Sequence, residues 1–120
     1  MNISEEFDTI TAISTPLGTG GVGVIRISGD KSFDIALSIT TCKELPAGKI
    51  CHGWITDGNK KIDEIIILPF KAPKSYTGED VIEIQCHGGV HVVKNILDIV
   101  IKKRGKNGRA RGIYQKSISQ

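Results

Sequence analysis

The chain has 120 residues, a length typical of one domain, and a formal net charge of +3. Residues 1–101 hold nine Lys/Arg and thirteen Asp/Glu, a balance of −4, whereas residues 102–120 hold seven Lys/Arg and no acid. A basic tail on an acidic domain favours nucleic-acid binding far less than a uniformly basic protein would. No apolar stretch approaches the roughly 18 residues that a membrane helix needs, which excludes a helical membrane protein.

The cysteines and the N-terminus bear on the compartment. Cys42, Cys51 and Cys86 form neither a CxxC motif nor a Cys–His metal pattern, and the first residues lack a signal-peptide pattern. We therefore expect free, buried thiols in a soluble, cytoplasmic chain. His87 has no second ligand at suitable spacing, so no metal site is expected.

The hydrophobic pattern predicts five strands and two helices, in the order β-β-α-β-β-β-α. Asp57-Gly58 is a hairpin signal between the third and fourth strands, and Asp30 is predicted as the N-cap of the first helix. The fold class is therefore α/β (α+β): a mixed sheet of about five strands with two helices, in a domain of residues 1–103 followed by a tail of residues 104–120. The predicted strands are Thr9–Ser14, Val22–Ser28, Ile50–Thr56, Ile62–Phe70 and Val81–His87, and the second helix runs from Val90 to Ile101.

The glycine-rich segment Gly18–Gly23 fits the G-x-G-x-x-G pattern of dinucleotide-binding loops. Such a loop must follow a strand and open a helix, whereas here it leads into the predicted strand Val22–Ser28. No P-loop sequence occurs in the chain. The remaining interpretations are a tight or mobile turn, or a loop that lets a ligand or a partner chain approach the backbone.

Two charged residues interrupt otherwise apolar strands: Arg26 in Val22–Ser28 and Glu83 in Val81–His87. Lone charges in strands most often occupy edge or solvent-facing positions. The other interpretation is a buried or cleft-lining pair, because a charge among apolar neighbours needs a partner. The residues alone leave both interpretations open.

Three segments together resemble the N-terminal domain of the MnmE (TrmE) family of tRNA-modification GTPases. They span about Phe7 to Ile101 and read DTITAISTPLGTGGVGVIRISG, SYTGED and VIEIQCHGGVHVVKNILD. Their combination is specific, since it joins the family patterns ATPxGxGGVGxxRxSG and S(F/Y)TGEDxxExxxHGG.

The resemblance implies a tetrahydrofolate-binding domain that also serves as a homodimerisation module. Arg26 and Glu83 stand at the positions of the family's folate-binding arginine and glutamate, so the expected cofactor is 5-formyltetrahydrofolate or another tetrahydrofolate derivative. A carboxylate can accept two hydrogen bonds from the amino group and ring N–H of a pterin, and arginine can bind carbonyl or carboxylate oxygens. The loops Gly18–Gly23 and Ser75–Asp80 are expected to border the ligand or the dimer partner. No catalytic residue is expected in this chain.

The resemblance also implies a larger setting. In the family, the intact protein works with an MnmG-type FAD protein to add a 5-carboxymethylaminomethyl-type group to the wobble uridine of certain tRNAs. GTP, Mg and K belong to the family's G domain, which this sequence lacks. We therefore expect a homodimeric folate-binding module that has no GTPase activity alone and meets tRNA and the FAD protein only through the intact complex. The alternatives are a small basic nucleic-acid-binding protein that uses the tail, and a structural dimer module without a ligand.

The tail from Arg104 departs from the family, whose corresponding segment is similar to GARLAEPGEFTKRAFLNGK and supplies a further folate-contacting lysine. Synonymous codons exist for which removing one A from the codons of Lys102-Lys103 turns the tail into GARMEEQGEFTKRAFL. Our hypothesis is a frameshift at this point, which resequencing the gene across the codons of residues 101–105 would decide. A frameshifted tail is expected to lack regular structure, given its low hydrophobicity and high charge.

Overall fold

The computed structural model describes residues 9–13, 21–75, 77–105 and 113–117. They form six strands and two α-helices, and the predicted order of elements is confirmed as far as the second helix. The elements are β1 (Thr9–Ile13), β2 (Val22–Ser28), α1 (Ser32–Ile39), β3 (Cys51–Asp57), β4 (Lys60–Phe70), β5 (Val81–His87), α2 (Val90–Gly105) and β6 (Ile113–Ser117).

The strands form one sheet in the order β3-β4-β5-β2-β1-β6. Neighbouring strands are antiparallel from β3 to β1, whereas β6 runs parallel to β1. The predicted mixed sheet with two helices is therefore confirmed. The hairpin predicted at Asp57-Gly58 is also present, with Gly58 at a φ of 64° in the turn between β3 and β4.

Both helices contribute to one hydrophobic core on one side of the sheet. Alternate residues of the central strands point into it, such as Ile25 on β2 and Ile84 on β5, which are directly opposite each other and fully buried. α1 and α2 contribute Ile35, Ile96 and Val100 to the same cluster. Period-two alternation puts the residues between these positions on the opposite face of the sheet.

The first helix begins one residue later than predicted, so Asp30 as its N-cap is wrong. Lys31 occupies the N-cap position and makes no side-chain capping hydrogen bond. The preceding turn accounts for the difference: Gly29, at a φ of 133°, donates its N–H to the Asp80 carbonyl at 2.8 Å. The Lys31 N–H then donates to Thr9 Oγ1 at 3.1 Å, so tertiary contacts fix the helix start.

The prediction of three free thiols is wrong for two of them. Cys42 and Cys51 form a disulfide, with their Cα atoms 6.7 Å apart, whereas Cys86 is a buried free thiol. The pairing depends on tertiary structure, because the chain after α1 folds along β3, where Thr41 N–H donates to the Trp54 carbonyl at 3.0 Å. The spacing of the cysteines in the sequence does not indicate that the chain after α1 runs back along β3.

The tail contains a strand that the sequence did not predict. Residues 113–117 form β6, in register with the whole of β1 from Thr9↔Ile113 to Ile13↔Ser117. The second helix also continues beyond its predicted end at Ile101, to Gly105. The expectation that the tail lacks regular structure therefore does not hold for residues 104–105 and 113–117. The boundary at residue 103 and the frameshift hypothesis stay predictions.

Two glycines bring the start of β2 against the start of α2. The Gly88 N–H donates to the Gly21 carbonyl at 2.8 Å. A Cβ at Gly88 would lie 2.9 Å from the Gly21 carbonyl carbon and oxygen, closer than real Cβ contacts allow, whereas a Cβ at Gly89 would meet nothing within 4 Å. The backbones can approach this closely only because residue 88 has no side chain.

We therefore predict that Gly88→Ser lowers the free energy of unfolding by roughly 1–3 kcal/mol, because the clash is with backbone and the chain must move. Gly89→Ser is the matched control: it adds the same side chain in open space, next to the first residue of α2, where serine is a favourable cap. Urea denaturation of both variants checks the prediction, and equal stabilities would contradict it.

Candidate functional site

The sheet face opposite the helices, called the open face below, carries a mixture of apolar and polar side chains. Strand pairing and alternation place them there, and both Val22 and Ile66 are exposed. Its members are Val22, Val24, Arg26 and Ser28 on β2; His52 and Trp54 on β3; Glu64, Ile66, Leu68 and Phe70 on β4; and Val81, Glu83, Gln85 and His87 on β5.

Arg26 and Glu83 form an ion pair at the centre of the open face. They are directly opposite each other on β2 and β5, and Arg26 Nε donates to Glu83 Oε1 at 3.1 Å. Both strands are interior to the sheet, so the interpretation as edge charges is wrong. Glu83 is 7% exposed, while 37% of the Arg26 side chain is accessible. The structure therefore joins the two site residues predicted from the sequence into one pair with an accessible side.

Gln85 is a third member of this polar group that sequence reasoning did not single out. Its Nε2 donates to Glu83 Oε2 at 3.1 Å. The two carboxylate oxygens of Glu83 thus receive one N–H each, from different residues. The signal in the sequence was the alternation of β5, which puts Gln85 on the same face as Glu83.

The loop before β5 borders one end of the open face. Ser28 lies two residues beyond Arg26 on β2, and its hydroxyl is 2.8 Å from Thr77 Oγ1. The same hydroxyl donates to Glu79 Oε1 at 3.4 Å. The loop predicted to border the site, Ser75–Asp80, is described except for residue 76, and it does reach the strand that carries Arg26.

A cavity of about 330 Å³ lies at the other end of the open face. It reaches Gln85, so it adjoins the Arg26–Glu83 pair. The glycine loop also borders it through Gly21; residues 14–20 lie outside the described part of the chain. Its lining residues are Gly21, Val22, His52, Glu64, Ile65, Ile66, Gln85, Cys86 and His87.

Both histidines that line the cavity are held by carboxylates. His87 Nδ1 lies 2.7 Å from Asp63 Oδ1, and the His87 backbone N–H donates to the other oxygen of Asp63 at 3.2 Å. His52 pairs with Glu64. These contacts orient the imidazoles at the cavity wall. Among the described residues, no group of three or more His, Cys, Asp or Glu is placed to hold a metal ion.

Cys86 lies beneath the cavity with its thiol toward the helix layer, where Sγ contacts the Gly23 carbonyl oxygen at 3.6 Å. Burial, with a smaller contribution from the negative charge of Asp63, raises the pKa of this thiol from its usual 9.0 to about 11. The thiolate is the reactive form of cysteine, so Cys86 is unreactive near neutral pH. Its part in the site is therefore packing.

The comparisons with known proteins fit this architecture. A family model described as "GTP-binding protein TrmE N-terminus" matches residues 9–113. The chain belongs to this family. The match covers all five strands and both helices that the sequence predicted.

Its relatives are much longer than this chain. The "tRNA modification GTPase MnmE" of Caldicellulosiruptor saccharolyticus is 48% identical over 108 residues, which cover 85% of this chain and 24% of the relative. The proteins of the same name from Streptococcus mutans and Thermotoga maritima are 48% and 43% identical, over 83% and 79% of this chain and 23% and 21% of their own lengths. The chain thus spans less than a quarter of these curated relatives. Among the described helices, none is long and apolar enough to cross a membrane.

The raised pKa of Cys86 predicts a stability difference at alkaline pH. Between pH 9 and 11 the unfolded thiol loses its proton while the folded thiol keeps it, so this group's contribution to stability falls as pH rises through that window. Cys86→Ala removes the effect. Urea denaturation at pH 8, 9.5 and 10.5 should show a wild-type stability that declines more steeply than that of the variant; parallel declines would contradict the raised pKa.

Proposed function

We propose that this domain binds a tetrahydrofolate derivative, of the 5-formyltetrahydrofolate type, on the open face through Arg26 and Glu83. The observation that carries the proposal is a nearly buried carboxylate at the centre of a sheet face, opposite the face on which the helices pack. A carboxylate in such a position is costly unless it is paired and hydrogen-bonded. Because Glu83 lies on the side of the sheet away from the helices, its carboxylate is better placed to bind a ligand than to pack in the hydrophobic core.

The donor and acceptor pattern around Glu83 fits a pterin. Each of its oxygens accepts one protein N–H, and a carboxylate has about four acceptor sites. Counting the contacts of the described residues, one acceptor site per oxygen is left for a parallel pair of donors, such as the amino group and adjacent ring N–H of a pterin. The guanidinium group of Arg26 lies beside these acceptor sites. When bound, the folate supplies a one-carbon unit; the protein residues named here bind and orient it.

The surroundings of the pair suit an elongated ligand. Hydroxyl and carboxylate groups of Thr77 and Glu79 lie toward one end of the open face, and the cavity of about 330 Å³ lies toward the other. Apolar side chains between them, including Leu68 and Val24, offer a surface for a ring system. A pterin with an attached aromatic group has matching apolar faces and polar edges.

We further propose that the domain forms a homodimer and serves, within a longer protein, the tRNA modification named in its relatives. The exposed Val22 and Ile66 on the open face support dimerisation, because apolar side chains on one surface favour association. Contacts with tRNA and with an MnmG-type FAD protein belong to that intact complex. GTP, Mg and K belong to its G domain.

We expect Glu83→Ala to weaken binding of 5-formyltetrahydrofolate to the full chain by at least about 100-fold, because two hydrogen bonds to a charged group are lost. Isothermal titration calorimetry measures the affinity, and circular dichroism checks that the variant folds. Glu44→Ala, an exposed carboxylate away from the open face, is the matched control. Wild-type affinity in Glu83→Ala would remove Glu83 from the site.

We also expect sedimentation equilibrium to give a mass of about twice the 13.0 kDa chain. Ile66→Lys places a charge on the open face and should shift the equilibrium toward monomer. Asn95→Lys adds the same charge at an exposed position on α2 and should leave the equilibrium unchanged. A wild-type chain that is monomeric at all concentrations would contradict the dimer. Equal sedimentation with and without folate would show that association does not depend on the ligand.

A further inference from the structure

We infer that Gln85 is a positioning residue, which sets the plane of the Glu83 carboxylate so that both oxygens face the ligand together. The inference rests on the proposed function, because it concerns how the same site recognises a paired donor. It goes beyond the Arg26–Glu83 pair by assigning a role to a neutral amide that does not need to touch the ligand.

Glu83 accepts hydrogen bonds from two donors, one on each carboxylate oxygen. Arg26 Nε reaches Oε1 from β2, and Gln85 Nε2 reaches Oε2 from the same strand as Glu83, each at 3.1 Å. A carboxylate held by one oxygen can still rotate about its last side-chain torsion, which has a broad energy profile. A second donor on the other oxygen stops this rotation. Both remaining acceptor sites then keep one orientation.

The chemistry of the amide fixes its own orientation as well. An ionised carboxylate only accepts hydrogen bonds, so the amide must turn its NH₂ group toward Glu83. Its carbonyl oxygen is then directed away from Glu83. Gln85 also lines the cavity beside the pair. Gln85 therefore contacts both the carboxylate of Glu83 and the cavity. Replacing it with an isosteric residue changes the number of hydrogen-bond donors without changing the shape of the side chain.

Gln85→Glu gives the sharpest test, because it replaces the donor with a second acceptor of the same size. At pH 7.5 two adjacent carboxylates repel, and 5-formyltetrahydrofolate should bind about 10- to 100-fold more weakly than to wild type. At lower pH, a protonated carboxyl group at position 85 would again donate an O–H to Glu83, so the affinity of this variant should recover toward pH 5. The affinity of the wild-type chain should change far less over the same range.

Two further variants separate the loss of the hydrogen-bond donor at residue 85 from a general effect of added charge on the protein. Gln85→Met keeps length and removes the donor without adding charge, so it should bind weakly at both pH values. Asn95→Asp makes the same amide-to-carboxylate change at an exposed position on α2 and should behave as wild type at both. Calorimetric titrations at pH 5 and 7.5 measure the affinities. Melting temperatures without ligand should show Gln85→Glu destabilised at pH 7.5 and largely restored at pH 5.

The outcomes distinguish this inference from the proposed function. A pH-dependent recovery in Gln85→Glu, absent in Gln85→Met, supports the positioning role. Wild-type affinity in both Gln85 variants overturns it and leaves folate binding by Arg26 and Glu83 intact. A wild-type chain that does not bind 5-formyltetrahydrofolate overturns the proposed function and the positioning role together. A Gln85→Glu melting temperature that matches wild type at both pH values overturns the contact itself.

Discussion

The pairing of β2 with β5 is the constraint on which the core and the candidate site both depend. Its register sets Ile25 opposite Ile84 on the helix side and, one residue along, Arg26 opposite Glu83 on the open face. A slip of one residue would turn every side chain of a strand to the wrong face, placing a carboxylate under the helices. The buried isoleucines therefore oppose a one-residue slip of this pairing, since it would expose them and bury Glu83 against apolar side chains.

The ion pair itself adds little to this stability. Of the Arg26 side chain, 37% is accessible, and a pair of this kind gains modest energy after desolvation of the more buried partner. Replacing a buried ion pair with apolar residues is often neutral or stabilising, so packing alone gives no reason for charges at the centre of the sheet. The proposed binding of a polar ligand gives such a reason. The pair, the amide of Gln85 and the accessible surface beside them then share a single explanation.

The sequence predicted the strands well because their residues are β-branched and alternate cleanly. The bounds of β2 and β5 were confirmed to the residue, and with them the shared face of Arg26 and Glu83. Local pattern could not supply three other features. The Cys42–Cys51 bond depends on the chain returning along β3, the start of α1 depends on the turn held by Asp80, and β6 is placed by backbone pairing with β1. Gln85 was visible on the right face, but only its distance to Glu83 reveals the contact.

Glycines beside the cavity let strand β2 and helix α2 approach each other closely. Gly21 lies within the glycine loop, and its carbonyl accepts a hydrogen bond from the Gly88 N–H just before α2 begins. Gly23, the second residue of β2, lies under Val93 of α2. A Cβ at residue 23 would come within 2.5 Å of Val93 Cγ2. A side chain at residue 88 would therefore meet the backbone of Gly21, and a side chain at residue 23 would meet Val93 of α2. Gly23, the last glycine of the G-x-G-x-x-G pattern, thus allows β2 to pack tightly below α2, whereas in other folds such a glycine pattern opens a helix that binds a dinucleotide.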